Sequence, residues 1–236
     1  MTRIKFIIYG RNVIRLKSRN ILIAEDDVNI NNLLKEALER EGYVCRQAFS
    51  GTEAVLLLER EDVSLILLDL MLPGMTGEEV LAKIRENSDM PVIVLTAKDG
   101  MDEKLELLRN GADDYITKPF SPSELTARVD AIYRRVCMSF IKKEDTSTIL
   151  ESGPFILNLK SRTVTKNGVP IDLTQVEYQI MEYFMNNKNT ALDRSSILTH
   201  IWGENYYGDD KIVDVNIRRI RMKIEDETSN PKYILT

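Results

Sequence analysis

Between Ile21 and about Arg135, short apolar runs alternate with segments of helical period, the pattern of a parallel sheet covered by helices on both faces. The runs at 21–24, 43–48, 65–68, 92–96 and 115–118 predict five strands. Between the first two, Ile30, Leu33, Leu34, Ala37 and Leu38 recur at helical spacing and predict an amphipathic helix. Two helix starts are marked by a hydroxyl three residues before a glutamate, Ser50 with Glu53 and Ser121 with Glu124, the latter reinforced by Pro122. The pattern predicts five strand–helix units, a doubly wound α/β domain over residues 21–136.

Periodicity lapses over residues 137–151, where Lys142, Lys143, Glu144 and Asp145 precede a Thr-Ser-Thr run, as in a solvated linker. From about Ser152 the pattern changes class. Residues 155–173 are β-prone and broken by Asn167-Gly168, a strong hairpin signal. Three helical patterns follow: one begins at a Thr174/Glu177 capping box, one follows Asp193 and ends near Trp202-Gly203, and one spans 211–224. Residues 152–236 therefore read as a smaller α+β domain.

The 236 residues, 43% hydrophobic and 29% charged, fit two ordinary globular domains. A net charge of -5 hides a contrast, because residues 1–20 carry six basic and no acidic side chains while the following hundred are strongly acidic. No uncharged apolar run approaches the roughly 18 residues a membrane span needs, and Phe6-Ile7-Ile8-Tyr9 is too short for a secretory segment, so a cytoplasmic protein without membrane partners is expected. Cys45 and Cys137 lack metal-ligand spacing and are expected to be reduced. An acidic domain repels nucleic acid, so contact with DNA requires a basic cluster elsewhere.

Chemistry gathers at predicted strand ends, where open α/β sheets place their ligands. Glu25 and Asp26 end the first strand, Asp69 the third, Thr96 the fourth and Lys118 the fifth. Adjacent carboxylates raise each other's pKa unless a cation offsets them, and hard oxygen donors of this kind suit magnesium. With an ammonium, a hydroxyl and one carboxylate nucleophile, the set is equipped for phosphoryl transfer, where positioning and charge neutralisation dominate. Each residue alone is more simply a solvated end group; their conjunction in strand order is what argues for a site. Asp27 is read as a helix cap or surface acid, and His200 as packing or capping within its helix.

The segments Ile-Ala-Glu25-Asp26-Asp27, Leu-Leu-Asp69-Leu-Met-Leu-Pro73, Val-Leu-Thr96-Ala97 and Tyr115-Ile-Thr-Lys118-Pro119 resemble the flavodoxin-like receiver domains of bacterial two-component response regulators. The resemblance implies that Asp69 accepts a phosphoryl group from a sensor histidine kinase, with Glu25, Asp26, Asp69 and the Met71 carbonyl holding magnesium. It implies that Thr96 and Lys118 bind the phosphoryl oxygens and that Tyr115 rotates inward. It also implies a homodimer on phosphorylation through Lys104, Asp113, Asp114, Glu124 and Arg128, pairing Lys104 with Glu124 and Asp114 with Arg128 across a twofold axis.

Residues 152–236, with Leu173-Thr174-Gln-Val-Glu177-Tyr178, Ile201-Trp202-Gly203 and the run from Val213 to Ile224, resemble the winged-helix effectors of the OmpR/PhoB subfamily. On the last helix Val213, Ile217, Ile220 and Ile224 form an apolar stripe, Asn216, Arg219 and Lys223 line another face, and Arg218 and Arg221 flank it. The resemblance implies that this helix reads double-stranded DNA, Val215 and Arg219 at bases and Arg218, Arg221 and Lys223 at phosphates. The loop with Tyr206 and Tyr207 would be offered to RNA polymerase.

Two departures stand out. Family members continue past the equivalent of Tyr233-Ile234-Leu235-Thr236, read as a first strand, into a hairpin called the wing, so a truncated, weakly competent effector is expected. Residues 1–20 match nothing in the family and read as a disordered tail or a misplaced start, with Val13 or Leu16 as alternatives.

The expected activity is that of a phosphorylation-controlled transcriptional regulator, not a turnover enzyme. Phosphatases with an aspartate nucleophile want a second Asp two residues on, and Met71 stands there. The alternative is a phosphoryl sink or dimerisation partner that no longer binds DNA well.

Overall fold

A computed structural model describes residues 8–9, 12–13, 19–97, 100–138, 149–204, 206 and 208–235. The expectations for most of the tail, for residues 139–148 of the linker and for Tyr207 lie outside the described residues. Ile8–Tyr9 (β1) and Asn12–Val13 (β2) pair as a short antiparallel ladder.

The first domain is a five-stranded parallel sheet, Asn20–Ala24 (β3), Val44–Ala48 (β4), Leu65–Asp69 (β5), Val92–Thr96 (β6) and Asp114–Thr117 (β7), in the order β4-β3-β5-β6-β7. Its helices are Val28–Arg40 (α1), Gly51–Arg60 (α2), Gly77–Asn87 (α3), Met101–Arg109 (α4) and Pro122–Met138 (α5). The central strands are apolar at every position before their last, as a sheet buried on both faces requires. Alternate strand residues feed two cores: Leu22, Ile66, Leu68 and Val94 on one side, Ile21, Ile23, Leu67 and Ile93 on the other.

Helix starts follow local chemistry. The Asp27 carboxylate caps α1, accepting from the N–H groups of Asn29 and Ile30, and Ser50 caps α2 through Glu53 N–H. The α1 stripe differs from its sequence reading: Leu33 is exposed, and the buried positions are Asn31, Leu34 and Leu38. The fifth helix also reaches further than expected, taking in Cys137 and Met138.

The second domain begins earlier than Ser152, with a strand the sequence reading missed. Ile149–Ser152 (β8) joins Phe155–Asn158 (β9), Thr163–Lys166 (β10) and Val169–Ile171 (β11) in an antiparallel sheet. Asn167 and Gly168 both take positive φ (52° and 82°), the turn a two-residue hairpin needs. Three helices follow, Gln175–Asn186 (α6), Arg194–Trp202 (α7) and Lys211–Ile224 (α8), the first behind the expected Thr174/Glu177 capping box. Residues 233–235, expected as a strand, are irregular. Among the described residues no strand lies alongside them, and the Glu225 carboxylate instead accepts from the N–H groups of Lys232, Tyr233 and Ile234.

The two domains share a face. Helix α8 packs on α4 and α7 on α5, so buried side chains of the parallel sheet and of the second domain form one continuous apolar cluster.

Candidate functional site: an acidic pocket and a covered basic helix

At the carboxyl end of the parallel sheet, ligand oxygens of Glu25, Asp26 and Asp69 lie within 4.8 Å of one another. Glu25 and Asp69 are nearly inaccessible, whereas Asp26 is exposed at the mouth. Lys118 closes the pocket, its Nζ donating to Glu25 Oε2 at 2.6 Å and to Asp69 Oδ2 at 2.7 Å. Burial, helped by the Asp69 charge, raises the Glu25 pKa against the opposing pull of Lys118. Burial pulls the Lys118 pKa down, yet its bonds to Asp69 and Glu25 outweigh this and leave it raised. An ammonium held between two carboxylates shows that the pocket demands positive charge. Three hard oxygen ligands, one open to solvent, also fit a divalent cation that keeps several waters.

Glycine 77 lets the next helix approach this pocket. A Cβ there would lie 2.2 Å from the carbonyl oxygen of Asp69, so no side chain can replace it without moving the loop that carries the acid. Thr96 is buried at the end of β6, and Lys118 precedes a cis proline. The Met71 N–H lies 3.4 Å from Asp69 Oδ1, and its side chain is exposed.

The basic helix is placed quite differently from its sequence reading. Val215, Asn216 and Arg219 are buried. Arg219, expected to face bases, donates through Nη1 to the carbonyls of Leu108 and Ala112 at the end of α4, while its Nε lies 2.9 Å from Glu177. The Asn216 amide bonds back to the Ile212 carbonyl within its own helix. Arg221 is turned to the carbonyl of Ile234 at 2.7 Å. Lys223 pairs with Glu177 at 2.7 Å, and Arg218 is the exposed guanidinium of the set.

The expected dimer residues are likewise engaged within the chain. Arg128 lies 3.1 Å from Asp114 and 2.9 Å from Glu124, one helical turn away. Asp113 is fully buried, accepting from Arg85 and from the Val92 N–H, which makes it a tie between α3, β6 and β7, not a surface group. The Lys104 ammonium stands 5.8 Å above the Tyr115 ring.

Tyr206, expected to face RNA polymerase, is inserted here too. Its hydroxyl donates to Asp114 at 3.0 Å and its ring lies beneath the Arg128 guanidinium, 4.8 Å away. Burial first, then the Asp114 charge, raises its pKa well above the ordinary phenol value. The Tyr115 hydroxyl meets the main chain of Asp209 in the same loop. His200 stacks on Tyr183. Sequence reasoning missed Glu177 as the partner of two basic residues; its only signal was the capping-box position.

A parallel sheet with carboxylates and a lysine at its strand ends, followed by a basic helix in an α+β domain, defines a receiver joined to a DNA-binding effector. Residues 21–130 match the family of response regulator receiver domains, and residues 168–236 match the C-terminal domain of transcriptional regulatory proteins. The chain is 38% identical over 217 residues to the sensory transduction protein RegX3 of Mycolicibacterium smegmatis, covering 92% of this chain and 95% of that protein. It is 38% identical to YcbL of Bacillus subtilis, an uncharacterized transcriptional regulatory protein, over 91% and 95% of the two chains. A solved structure of a RitR mutant superposes with a TM-score of 0.74 at 25% identity, covering 90% of this chain and 93% of that one. The chain belongs to the OmpR/PhoB-type response regulators, and it is a phosphorylation-controlled transcriptional regulator. A sensor kinase partner and DNA binding come with that family. No described helix is long and apolar enough to cross a membrane.

Proposed function

We propose that Asp69 is the phosphoryl acceptor and that the receiver, when unphosphorylated, holds the DNA-reading helix shut. The observation that carries this reading is Arg219: the side chain best suited to fork onto a guanine is engaged by the Leu108 and Ala112 carbonyls of the receiver. In this reading a histidine kinase donates the phosphoryl group to Asp69, while Glu25, Asp26, Asp69 and the Met71 carbonyl hold magnesium, which supplies charge neutralisation on the phosphoryl oxygens. Lys118 exchanges its bond to the Asp69 carboxylate for one to a phosphoryl oxygen, and the Thr96 hydroxyl takes another. Movement of Thr96 draws Tyr115 inward.

That movement ends the Tyr115 contact with Asp209, loosening the loop that carries Tyr206. Release of Tyr206 frees Asp114 and Arg128 for the same groups of a second copy, so dimerisation and closure compete for one face. Lys104 and Glu124 would set register at the rim, each exposed pair contributing about 0–1 kcal/mol. The freed loop is then available to RNA polymerase in the cytoplasm. A closed form favoured about 100 to 1 would weaken DNA binding about 100-fold, which phosphorylation would restore.

Labelling with acetyl phosphate, read by intact mass, tests the acceptor: the parent gains one phosphoryl group in magnesium and Asp69→Asn gains none. An Asn variant labelled like the parent would overturn the assignment.

A further inference from the structure

The inner face of α1 is apolar except at its end nearest the acidic pocket. Ile30, Leu34 and Leu38 face the core, and at the position a stripe would fill with another aliphatic side chain stands Asn31, wholly inaccessible to solvent. A buried amide is costly unless hydrogen-bonded, so its partners are informative.

Those partners are two main-chain carbonyls. Asn31 Nδ2 donates to Glu25 O at 2.8 Å and to Ala48 O at 3.1 Å, and Oδ1 accepts from Gln47 Nε2 at 2.9 Å. Both carbonyls sit where β3 and β4 leave the sheet: Ala24 and Ala48 are the last paired residues, and the Glu25 N–H already donates to Ala48 O at 3.1 Å. The Glu25 carbonyl has run past the ladder. Asn31 catches it and fixes the peptide linking Glu25 to Asp26, the unit that carries two of the three pocket carboxylates. Gln47, itself bonded to Asn32 and Lys35, holds the amide in orientation.

We infer that Asn31 is a positioning residue for the cation site, clamping the Glu25–Asp26 peptide so that both carboxylates meet the cation without rearrangement. The inference rests on the reading of Glu25 and Asp26 as metal ligands. It differs from a role in stability alone, because a leucine, of the same branched shape and side-chain heavy-atom count, would continue the apolar stripe while leaving the Glu25 carbonyl free to turn.

The test uses the full chain and magnesium chloride. For Asn31→Leu, calorimetric titration should give a magnesium dissociation constant raised about tenfold, the lower end of the effect of losing an outer-shell partner. Half-saturating magnesium for acetyl phosphate labelling should rise equally, with the rate at saturating metal nearly unchanged. Magnesium should also raise the melting temperature of the parent more than that of the variant. Gln47→Leu, which keeps the clamp but removes its orienting bond, should shift the constant in the same direction by less.

A folded Asn31→Leu with the parent's magnesium affinity would overturn the inference, as would a variant with unchanged affinity and a slower rate at saturation. Should Asn31→Leu not fold, an unchanged constant in Gln47→Leu would overturn it. A parent whose magnesium affinity survives Glu25→Gln with Asp26→Asn would instead sink the metal-site reading, and this inference with it.

Discussion

The acidic pocket and the basic helix are both made of charged side chains drawn from a few short segments, yet only the pocket lies where its sequence suggests. The pocket is completed within one domain, at the ends of parallel strands whose order and polarity decide which side chains meet. The helix has the composition of a DNA reader, but its accessibility depends on a second domain. Composition dictates which face is basic; only the packing of α8 on α4 decides whether that face is open.

The sharpest separation of the two regions comes from emptying the pocket of charge while leaving the helix alone. Glu25→Gln with Asp26→Asn should raise the magnesium needed for half-maximal labelling of Asp69 by about 100-fold, since two of three pocket carboxylates lose their charge. DNA binding by the unphosphorylated double variant should match the parent's. Titration of labelling against magnesium, beside a binding isotherm, checks both. An unaltered magnesium requirement would remove these acids from the site.

A smaller effect is expected from the contact between the regions. Tyr206→Ala removes the hydroxyl on Asp114 and the ring beneath Arg128, leaving the helix and the pocket intact. DNA affinity without phosphorylation should rise about tenfold, the expected response if a lost contact moves a closed population toward parity. Asp89→Ala, which removes the partner of the Gln175 amide across the same interface, should act in the same direction. If neither variant binds DNA more tightly than the parent, the shared face does not restrain the helix.

How far the sequence could be read follows the same division. The ends of the central strands were legible because each is a short apolar run closed by a polar residue, so Asp69 and Thr96 fell into place by counting, with Lys118 one residue past the last strand. Asp27 and Thr174 were legible as caps, because capping is a local hydrogen bond. Leu33 misled, since a stripe drawn by apolarity alone passes over a buried asparagine that only its carbonyl partners explain. β8 was missed because its burial alternates only partially and no turn signal precedes it. Arg219, Asp114 and Tyr206 were beyond reach for one reason: each is satisfied by a group about 90 or more positions away in sequence or by a rival partner on the same surface.

The mildest prediction concerns the basic residues that remain on the open side of α8. Arg221 bonds to the Ile234 carbonyl and Lys223 to Glu177, so Arg218 is the exposed arginine among those expected at phosphates. A guanidinium with no bond to surrender contacts a phosphate at little reorganisation cost, and each neutralised phosphate releases condensed counterions. Arg218→Ala should therefore lower the slope of log affinity against log salt by about one and weaken specific and scrambled duplexes alike. Arg221→Ala should change the slope less and lower thermal stability, because it leaves the 225–235 segment without its tie to the helix. Binding titrations at several salt concentrations, made on the Tyr206→Ala background so that closure does not mask them, separate the two. A slope that falls as much for Arg221→Ala as for Arg218→Ala would mean that Arg221 leaves Ile234 for the DNA backbone when the helix is bound.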